Sequence, residues 1–567
     1  MNPSSALDTR HVPVVVPASL HLRLRARFWA MLTHTHTFSG RADHGGTVTP
    51  PQSYERLVAW AGRHHIDLVG MGSPYTPVSS SHHQRYDGAQ RDHYYAQPDL
   101  AATLLAQDTQ EVARMLGEIN AIARRAAASG AGAGSGAGGA SGVTHFYLDN
   151  ETPKGRYGHL WWLGHQPDAP SWHDYDQPFD RWMLHDSAPG GTPGAGDDEP
   201  MPYERRPYRH IVARQRAAGA LAIWAHPTSW WHDGDGRFIT NLATEMPAHA
   251  FADGMLDGMV IMGYQADRPE YVNLWLALLD RGVRVPGLAE MDMGLSMPKL
   301  DQRAQLLLSY PRRHEPSDRL CGAVDAVRRG DVMVSSGPMI DLRVDGMAMG
   351  SVVPTAAGMT HRVELMVAAR EPGAPLDCVE LLGREGRVLW SARSVEPGVL
   401  KVTIGGSDVP DYVVARVREE PAEAGRRACG VAITSPVYLH PRGCGQGFAA
   451  PMTTRLRLRA GGDSPWRHAR VSFQDAAGGP IEQGTLGAHG IDVTLPASAR
   501  FVLTTDEGRV QSHQLINANP RLQALQRYLY RGRFLNDFAG LSAGEAPVEA
   551  WRLDEFRAAL HELQIEV

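Results

Sequence analysis

The sequence predicts an α/β unit followed by antiparallel β-sandwich units and a short helical tail. In the first half, apolar runs of strand length are each followed by helical or loop material, which indicates a parallel α/β barrel or an open sheet. After about residue 336 the runs are shorter and alternate between apolar and polar residues, with turn signals between them. This pattern is typical of an antiparallel β-sandwich.

The first predicted unit covers residues 1–335, and its strand-like runs are 66–71, 144–148, 220–225, 258–262 and 283–288. Insertions at about 76–142 and 166–206 interrupt the alternation. The first insertion contains a predicted helix over 98–128 and a glycine-rich tract over 130–142. That tract has the spacing Gly-x-Gly-x-x-Gly, but it follows a helix and precedes a strand. A dinucleotide site needs the reverse order, so we reject that interpretation.

The remaining predicted units are a β-sandwich over 336–450, a second β-rich unit over 451–515 and a helical tail over 516–567. The tail contains two amphipathic segments, 520–541 and 548–563, which predict closing helices. No chemical motif occurs in these units. We expect them to have structural, lid or oligomer-forming roles.

Composition narrows the classes of function. A chain of 567 residues suggests about two to four domains. A net charge of -6 without a basic stripe excludes the electrostatic footprint of a nucleic-acid-binding protein. The four cysteines lack metal-ligand spacing, and no apolar run approaches the length of a membrane span. Because the N-terminus also lacks the apolar core of a signal peptide, we expect a cytoplasmic protein.

The strongest chemical signal is a pair of histidines, His34 and His36, directly after an apolar run. On a strand, side chains two positions apart share a face, so both imidazoles can reach one metal ion. Of the 26 histidines, 19 lie before residue 250, which places histidine chemistry in the first half. Four further candidate ligands lie at or just past strand ends: Glu151, His159, His226 and Asp292. Such a mixture of imidazoles and carboxylates suits zinc, manganese or iron.

These segments, in this order, resemble the PHP (polymerase and histidinol phosphatase) superfamily, and more narrowly its branch of carbamate-pesticide (carbaryl) hydrolases. The resemblance covers about residues 25–440. It is carried by seven segments: 33–37, 149–154, 158–159, 225–227, 291–292, 336–338 and 432–439.

The resemblance implies a distorted seven-stranded (β/α) barrel that carries up to three metal ions. His34, His36, Glu151 and Asp292 would hold one ion, and Glu151 would bridge to a second ion held by His159 and His226. The family's two histidines for a third ion are missing, because 72–74 reads Gly-Ser-Pro and 292–294 reads Asp-Met-Gly. We therefore expect two ions. Four histidines are alternative ligands for a third: His44, His82, His83 and His93.

The expected chemistry is hydrolysis by a hydroxide that bridges the two ions. Asp292 and His159 are the catalytic candidates, with Asp292 taking the proton from the bridging water. Loss of the third ion favours a carboxylic ester, carbamate or amide over a phosphoester. The alternatives are a PHP phosphoesterase and a non-catalytic binding protein with a degenerate metal site.

Seven of the 13 tryptophans fall between residues 161 and 231, which indicates either an aromatic-lined pocket or packing of the second insertion. We predict that Trp230 and Trp231 contact a small-molecule substrate, for which an aromatic group is one option, and that a homo-oligomer is possible. An amidohydrolase is less consistent, since only Lys154 is placed to supply its bridging carbamate. A serine hydrolase is disfavoured because the chain has no Gly-x-Ser-x-Gly elbow.

Overall fold

The computed structural model describes the following parts of the chain, to which all structural statements refer: 14–15, 20–35, 52–71, 98–129, 143–149, 151–152, 160–164, 216–227, 230–232, 238–240, 256–263, 269–280, 282–292, 305–314, 318–371, 374–405, 411–419, 430–441, 453–475, 479–497, 499–515 and 561–567. The glycine-rich tract, the second insertion and the two segments predicted as closing helices lie outside these residues, except for the last residues of the second segment.

The described residues contain five α-helices: α1 (Leu20–Ala26), α2 (Gln52–Arg63), α3 (Pro98–Ala128), α4 (Pro269–Leu279) and α5 (Arg319–Arg328). Helix α3 has buried residues at Met115, Ile119 and Ala123, four positions apart, which gives it one apolar face. The Asn120 side chain hydrogen-bonds the backbone N–H and C=O of Phe146, both at 2.9 Å, and so docks α3 on a neighbouring strand. None of these helices is long and apolar enough to cross a membrane.

The first half of the chain contributes thirteen strands: β1 (Val14–Val15), β2 (Met31–Leu32), β3 (Leu68–Met71), β4 (His145–Leu148), β5 (Glu151–Thr152), β6 (Leu160–Leu163), β7 (Leu221–Trp224), β8 (Trp230–His232), β9 (Phe238–Thr240), β10 (Gly258–Met262), β11 (Gly287–Ala289), β12 (Leu308–Pro311) and β13 (Val332–Ser335).

The second half contributes seventeen: β14 (Met339–Val344), β15 (Met347–Ala348), β16 (Val352–Thr355), β17 (Thr360–Ala368), β18 (Leu376–Leu382), β19 (Val388–Val395), β20 (Gly398–Gly405), β21 (Tyr412–Glu419), β22 (Val431–Thr434), β23 (Val437–Pro441), β24 (Thr453–Arg459), β25 (Arg470–Gln474), β26 (Pro480–Thr485), β27 (Ile491–Pro496), β28 (Arg500–Thr504), β29 (Val510–Gln514) and β30 (Glu562–Glu566).

Two sheets organise the first half. In one, β2, β3 and β4 are parallel neighbours, and antiparallel β12 and β13 continue this sheet into β22, β21, β23 and β16. Strands β18 and β19 extend it further, for eleven strands in all. The other sheet has the order β11-β10-β7-β6-β5, in which β7, β10 and β11 are parallel and β5 and β6 are antiparallel. Helices α2 and α3 lie in the two parallel crossovers of the first sheet.

One apolar core lies between these two sheets. It joins Met31 and Leu68 of the first sheet to Ile223, Val260 and Leu288 of the second, and helix α5 packs into the same cluster. Most of these strands are buried along their whole length, as is typical of strands covered on both faces.

The predicted distorted (β/α)7 barrel, and with it the TIM-like barrel, is wrong. The parallel strands belong to two separate sheets, antiparallel β6 and β12 enter them, and the described residues contain thirty strands against five helices. An apolar run shows where a strand lies, but not its direction or its partner. Packing between distant segments decides both of these.

The C-terminal half is mostly antiparallel, which is compatible with the predicted β-sandwich content. A five-stranded sheet has the order β1-β20-β17-β14-β15. Beyond residue 452, the sheets β27-β24-β30 and β26-β25-β28-β29 enclose a core of their own. Strand β30 pairs in parallel with β24, so the final residues of the predicted helical tail form a strand.

Candidate metal centre

Four polar side chains meet where strands of the two sheets end. His34 follows β2, His226 follows β7, and Glu290 and Asp292 follow β11. His34 and His226 are each 1% exposed, and Glu290 is fully buried. Loops after the carboxyl ends of parallel strands are the usual place for ligands in open α/β sheets, so this position favours a functional site.

The four groups face one another closely. Glu290 Oε2 lies 2.6 Å from His34 Nδ1. His34 Nε2 lies 3.5 Å from Asp292 Oδ1, and His226 Nε2 lies 3.8 Å from Asp292 Oδ2. The two imidazole rings are 5.5 Å apart between centroids. Both Nε2 atoms therefore flank the carboxylate of Asp292.

This arrangement fits a divalent metal ion. With bonds of about 2.0–2.2 Å, ligand atoms around a tetrahedral ion lie roughly 3.4 Å apart. The distances of 3.5 and 3.8 Å between the Asp292 oxygens and the two Nε2 atoms are close to that separation. His34 and His226 also form a second candidate ligand group with Glu290 in place of Asp292, with one ligand atom of each within 4.8 Å of the others. Two imidazoles with a carboxylate suit zinc, manganese or iron.

The backbone is strained at two of these residues. His34 has φ = 53° and Asp292 has φ = 41°, both in the left-handed region that residues other than glycine seldom adopt. Such conformations cost about 1–3 kcal/mol each and persist where the surrounding structure holds them in place, often at functional sites. Here the strain coincides with two side chains that converge from different sheets.

A third carboxylate, that of Asp149, holds the backbone of His34 by a hydrogen bond. Asp149, directly after β4, accepts a hydrogen bond from the backbone N–H of His34 at 2.5 Å. Gly70 of β3 leaves the space for this carboxylate, since a Cβ there would lie 2.2 Å from Asp149 Oδ2. Burial, together with the negative charge of Asp149, raises the pKa of Tyr147 well above its ordinary value.

Hydrogen bonds join the two sheets beside the cluster. Thr33 Oγ1 donates to the carbonyl of Ala289 at 2.6 Å, and the Met291 N–H donates to the carbonyl of Thr33 at 3.2 Å. The Ala289 N–H donates to Ser309 Oγ at 2.8 Å. Because β2, β11 and β12 are tied together here, the positions of His34 and Asp292 are set by one connected frame.

The structure brings together three of the six predicted ligands, namely His34, His226 and Asp292. His36 and His159 lie outside the described residues, as do His44, His82, His83 and His93. Glu151 lies in β5, where its backbone pairs with Trp161. Trp230 and Trp231 lie in β8, which pairs with β9. The side chains of Glu151, Trp230 and Trp231 are outside the described part of the chain.

Sequence reasoning missed Glu290 and Asp149 as site residues. Both follow an apolar strand run directly, the same signal that singled out His226. The same two segments also contain Glu151 and Asp292, which the sequence pattern favoured as ligands. Only the contacts with His34 show that Asp149 and Glu290 belong to the site.

No protein-family model and no curated protein matches the chain. Among solved structures, the chain is similar to BcpA, the major pilin subunit of Bacillus cereus, with 12% identity over 32% of this chain and 65% of that chain, and a TM-score of 0.14. It is also similar to the BSP domain of a biofilm-associated protein (13% identity, 31% and 28% covered, TM-score 0.12). A third is the T6 backbone pilin of serotype M6 Streptococcus pyogenes (7% identity, 37% and 62% covered, TM-score 0.11).

The chain therefore covers just under two thirds of the pilin's own length. TM-scores this low carry no argument about fold or function. The comparisons give no support to a PHP domain or to a hydrolase, and the division of the parallel strands into two sheets contradicts the PHP-type barrel expected from the sequence.

Proposed function

We propose that the chain is a divalent-metal-dependent hydrolase that acts on a carboxylic ester, carbamate or amide bond of a small molecule. The observation that carries the proposal is the convergence of two buried histidines, His34 and His226, on Asp292 from two sheets. Two imidazoles and a carboxylate that converge in this way are a common ligand set for a divalent cation. The predicted second ion, with His36, Glu151 and His159 as ligands, remains part of the proposal.

His34 and His226 would hold the ion through their Nε2 atoms, which face Asp292. A bound divalent ion supplies Lewis acidity and an acidified water that is nucleophilic near neutral pH. Asp292 places its two carboxylate oxygens toward both rings and is the group we assign to accept the proton from the attacking water. Burial of the site keeps bulk water away from the reacting groups.

The substrate class rests on the expected loss of the family's third metal ion, since 72–74 reads Gly-Ser-Pro and 292–294 reads Asp-Met-Gly. With fewer ions to neutralise a dianionic phosphate monoester, the site suits the uncharged carbonyl group of an ester, carbamate or amide better.

A cytoplasmic location belongs to the same proposal. The free thiols of Cys321, which is exposed, and Cys378 suit a reducing compartment.

The test begins with metal content, measured by inductively coupled plasma mass spectrometry on the purified full chain. We expect at least one zinc, manganese or iron ion per chain, and its loss in a His34→Ala/His226→Ala variant. The exposed His489 provides the control, since His489→Ala should keep the metal. Equal metal content in all three proteins, or none in the wild type, would overturn the proposed centre.

The metal-loaded protein is then assayed with p-nitrophenyl acetate, an aryl methylcarbamate and p-nitrophenyl phosphate. We expect turnover of the ester or carbamate that a chelator abolishes and that the double variant lacks. Faster turnover of the phosphate would contradict the substrate class. Bound metal without turnover of any of the three would contradict the proposed reaction, whereas a wild type without bound metal would favour the non-catalytic binding protein with a degenerate metal site.

A further inference from the structure

We infer that Glu290 is a positioning residue that fixes the ring nitrogen with which His34 faces the metal site. The inference deepens the proposed function and rests on the metal centre proposed there. Glu290 is fully buried, and no motif of the sequence analysis assigned it a role. Three contacts carry the inference: one to a side chain, one to the backbone of a second loop, and one that anchors Glu290 itself.

The first contact selects the tautomer of His34. Glu290 Oε2 lies 2.6 Å from His34 Nδ1, a short separation typical of a hydrogen bond to a charged group. A carboxylate accepts hydrogen bonds, so the proton of the neutral ring sits on Nδ1. The lone pair is then left on Nε2, the nitrogen that faces Asp292 at 3.5 Å. A carboxylate on the far nitrogen of a metal-binding histidine fixes its orientation and raises its basicity.

The second contact ties the other histidine to the same carboxylate. Glu290 Oε1 accepts a hydrogen bond from the backbone N–H of His226 at 2.9 Å. The loops after β2 and β7 are therefore both hydrogen-bonded to one side chain, that of Glu290, which follows β11. Because each carboxylate oxygen already serves one of these loops, we assign Glu290 to orientation and Asp292 to the metal.

The third contact holds Glu290 in place. Its backbone N–H donates to the carbonyl of Met262 at 2.9 Å, at the end of β10. Gly263 follows Met262, and a Cβ there would lie 3.0 Å from Glu290 Oε1 and 3.2 Å from its Cγ. The absence of a side chain at this glycine leaves room for the carboxylate in the position that reaches both histidine loops.

The test compares Glu290→Gln with the wild type. The amide keeps the shape of the side chain but replaces one acceptor oxygen by an NH2 donor, so it cannot accept from both the His34 ring and the His226 N–H. We expect the affinity for Zn²⁺, measured by competition with a chelating dye, to fall by about 10–100-fold. The exposed Glu482 provides a matched control, and Glu482→Gln should bind Zn²⁺ as the wild type does.

A second readout separates positioning from a merely structural role. In the metal-free protein, long-range ¹H–¹⁵N NMR correlations report which ring nitrogen of each histidine carries the proton. The signals of His34 are identified by their absence in His34→Gln. We expect the proton on Nδ1 in the wild type and a shift toward Nε2 in Glu290→Gln, with far-ultraviolet circular dichroism unchanged.

The outcomes distinguish the two proposals. If the wild type binds Zn²⁺ and Glu290→Gln binds it equally well, the positioning role is overturned and the metal centre stands. A proton on Nε2 of His34 in the wild type also overturns it, and this measurement needs no Glu290 variant to fold. If the wild type binds no Zn²⁺, the proposed function fails, while the tautomer of His34 still decides whether Glu290 sets the ring.

Discussion

At the scale of single residues, the candidate centre depends on positions where an ordinary side chain or backbone would not fit. His34 and Asp292 adopt left-handed backbone conformations without being glycine. Gly70, by contrast, has an ordinary backbone, and its importance comes from space alone, because Asp149 occupies the volume where its Cβ would lie. The strain at His34 and the missing side chain of Gly70 act on the loop that carries His34, and the strain at Asp292 acts on the loop after β11.

Replacing Gly70 by alanine therefore tests whether Asp149 supports His34. The new Cβ would lie 2.2 Å from Asp149 Oδ2, so the carboxylate must move and its hydrogen bond to the His34 N–H is lost. Loss of a buried hydrogen bond to a charged group costs about 1–3 kcal/mol. We expect the free energy of unfolding, from urea titration followed by tryptophan fluorescence, to fall by that amount.

Gly62 is the matched control for this substitution. It lies in α2, and a Cβ there would meet nothing within 4 Å. Alanine should stabilise that helix by about 0.5–1 kcal/mol, because it restricts the unfolded chain more than glycine does. If Gly70→Ala proves as harmless as Gly62→Ala, Asp149 does not hold the His34 loop.

At the scale of elements, an ion network centred on the buried Arg312 joins the N-terminal helix to the sheets. Arg312, just after β12, donates from Nε to both oxygens of Asp331 at 2.9 Å and from its Nη atoms to Asp341 of β14. Arg27, just after α1, also donates to Asp341 at 2.8 Å. Burial opposes the charge of Arg312, but hydrogen bonds to Asp341 and Asp331 outweigh it and raise its pKa above the ordinary value.

Removal of Asp341 should be costly, because it takes a buried partner from Arg312. We expect Asp341→Ala to lower the free energy of unfolding by about 3 kcal/mol, as is typical when one partner of a buried ion pair is deleted. The measurement is chemical denaturation at neutral pH.

The exposed pair of Arg328 and Asp325 provides the comparison, with an N–O distance of 2.7 Å. Since water screens exposed ion pairs, Asp325→Ala should change stability by no more than about 1 kcal/mol. Comparable effects of the two alanine substitutions would show that the Arg312 network does not hold these elements together.

At the scale of the whole molecule, three histidines in different elements make stability depend on pH in the same direction. Burial lowers the pKa of His21 in α1, of His145 in β4 and of His440 in β23. For His440 the charge of Arg284 adds to the effect, and Arg284 Nη2 lies 2.7 Å from His440 Nε2. An arginine can only donate, so this contact requires the neutral ring.

The direction of this pH dependence follows from the difference in proton binding between the unfolded and the folded chain. Below the ordinary histidine pKa of 6.5, the unfolded chain takes up protons that the folded chain resists, so folding stability decreases as the pH falls. We expect the unfolding temperature, measured by scanning calorimetry, to drop from pH 7.5 toward pH 5.5. In His440→Gln the decrease should be smaller, since glutamine accepts from Arg284 without titrating.

His489→Gln, at an exposed position, should reproduce the wild-type profile. An unfolding temperature that stays constant or rises over this range would contradict the direction assigned to the three histidines. Burial raises the pKa of Asp257 and of Glu419. These two groups make folding stability decrease as the pH rises, above pH 3.8 for Asp257 and above pH 4.5 for Glu419.

Much of the local structure follows from the order of amino acids. The apolar runs at 66–71, 144–148, 220–225 and 258–262 coincide with β3, β4, β7 and β10, because a short buried strand needs only a stretch of apolar residues between turn signals. The change to alternating runs after residue 336 likewise marks the antiparallel half. His34, His226 and Asp292 stood out for the same reason: each is a metal-ligand type of residue at the end of such a run.

Tertiary structure decided how these pieces are connected. The direction of β6 and β12, the division into two sheets and the continuation of the first sheet into the C-terminal half all depend on pairing between segments far apart in the chain. The role of Glu290 depends on the same long-range geometry, since its partners His34 and His226 are 256 and 64 residues away in sequence. Periodicity records which residues are buried, whereas these contacts arise only when distant strand ends pack side by side.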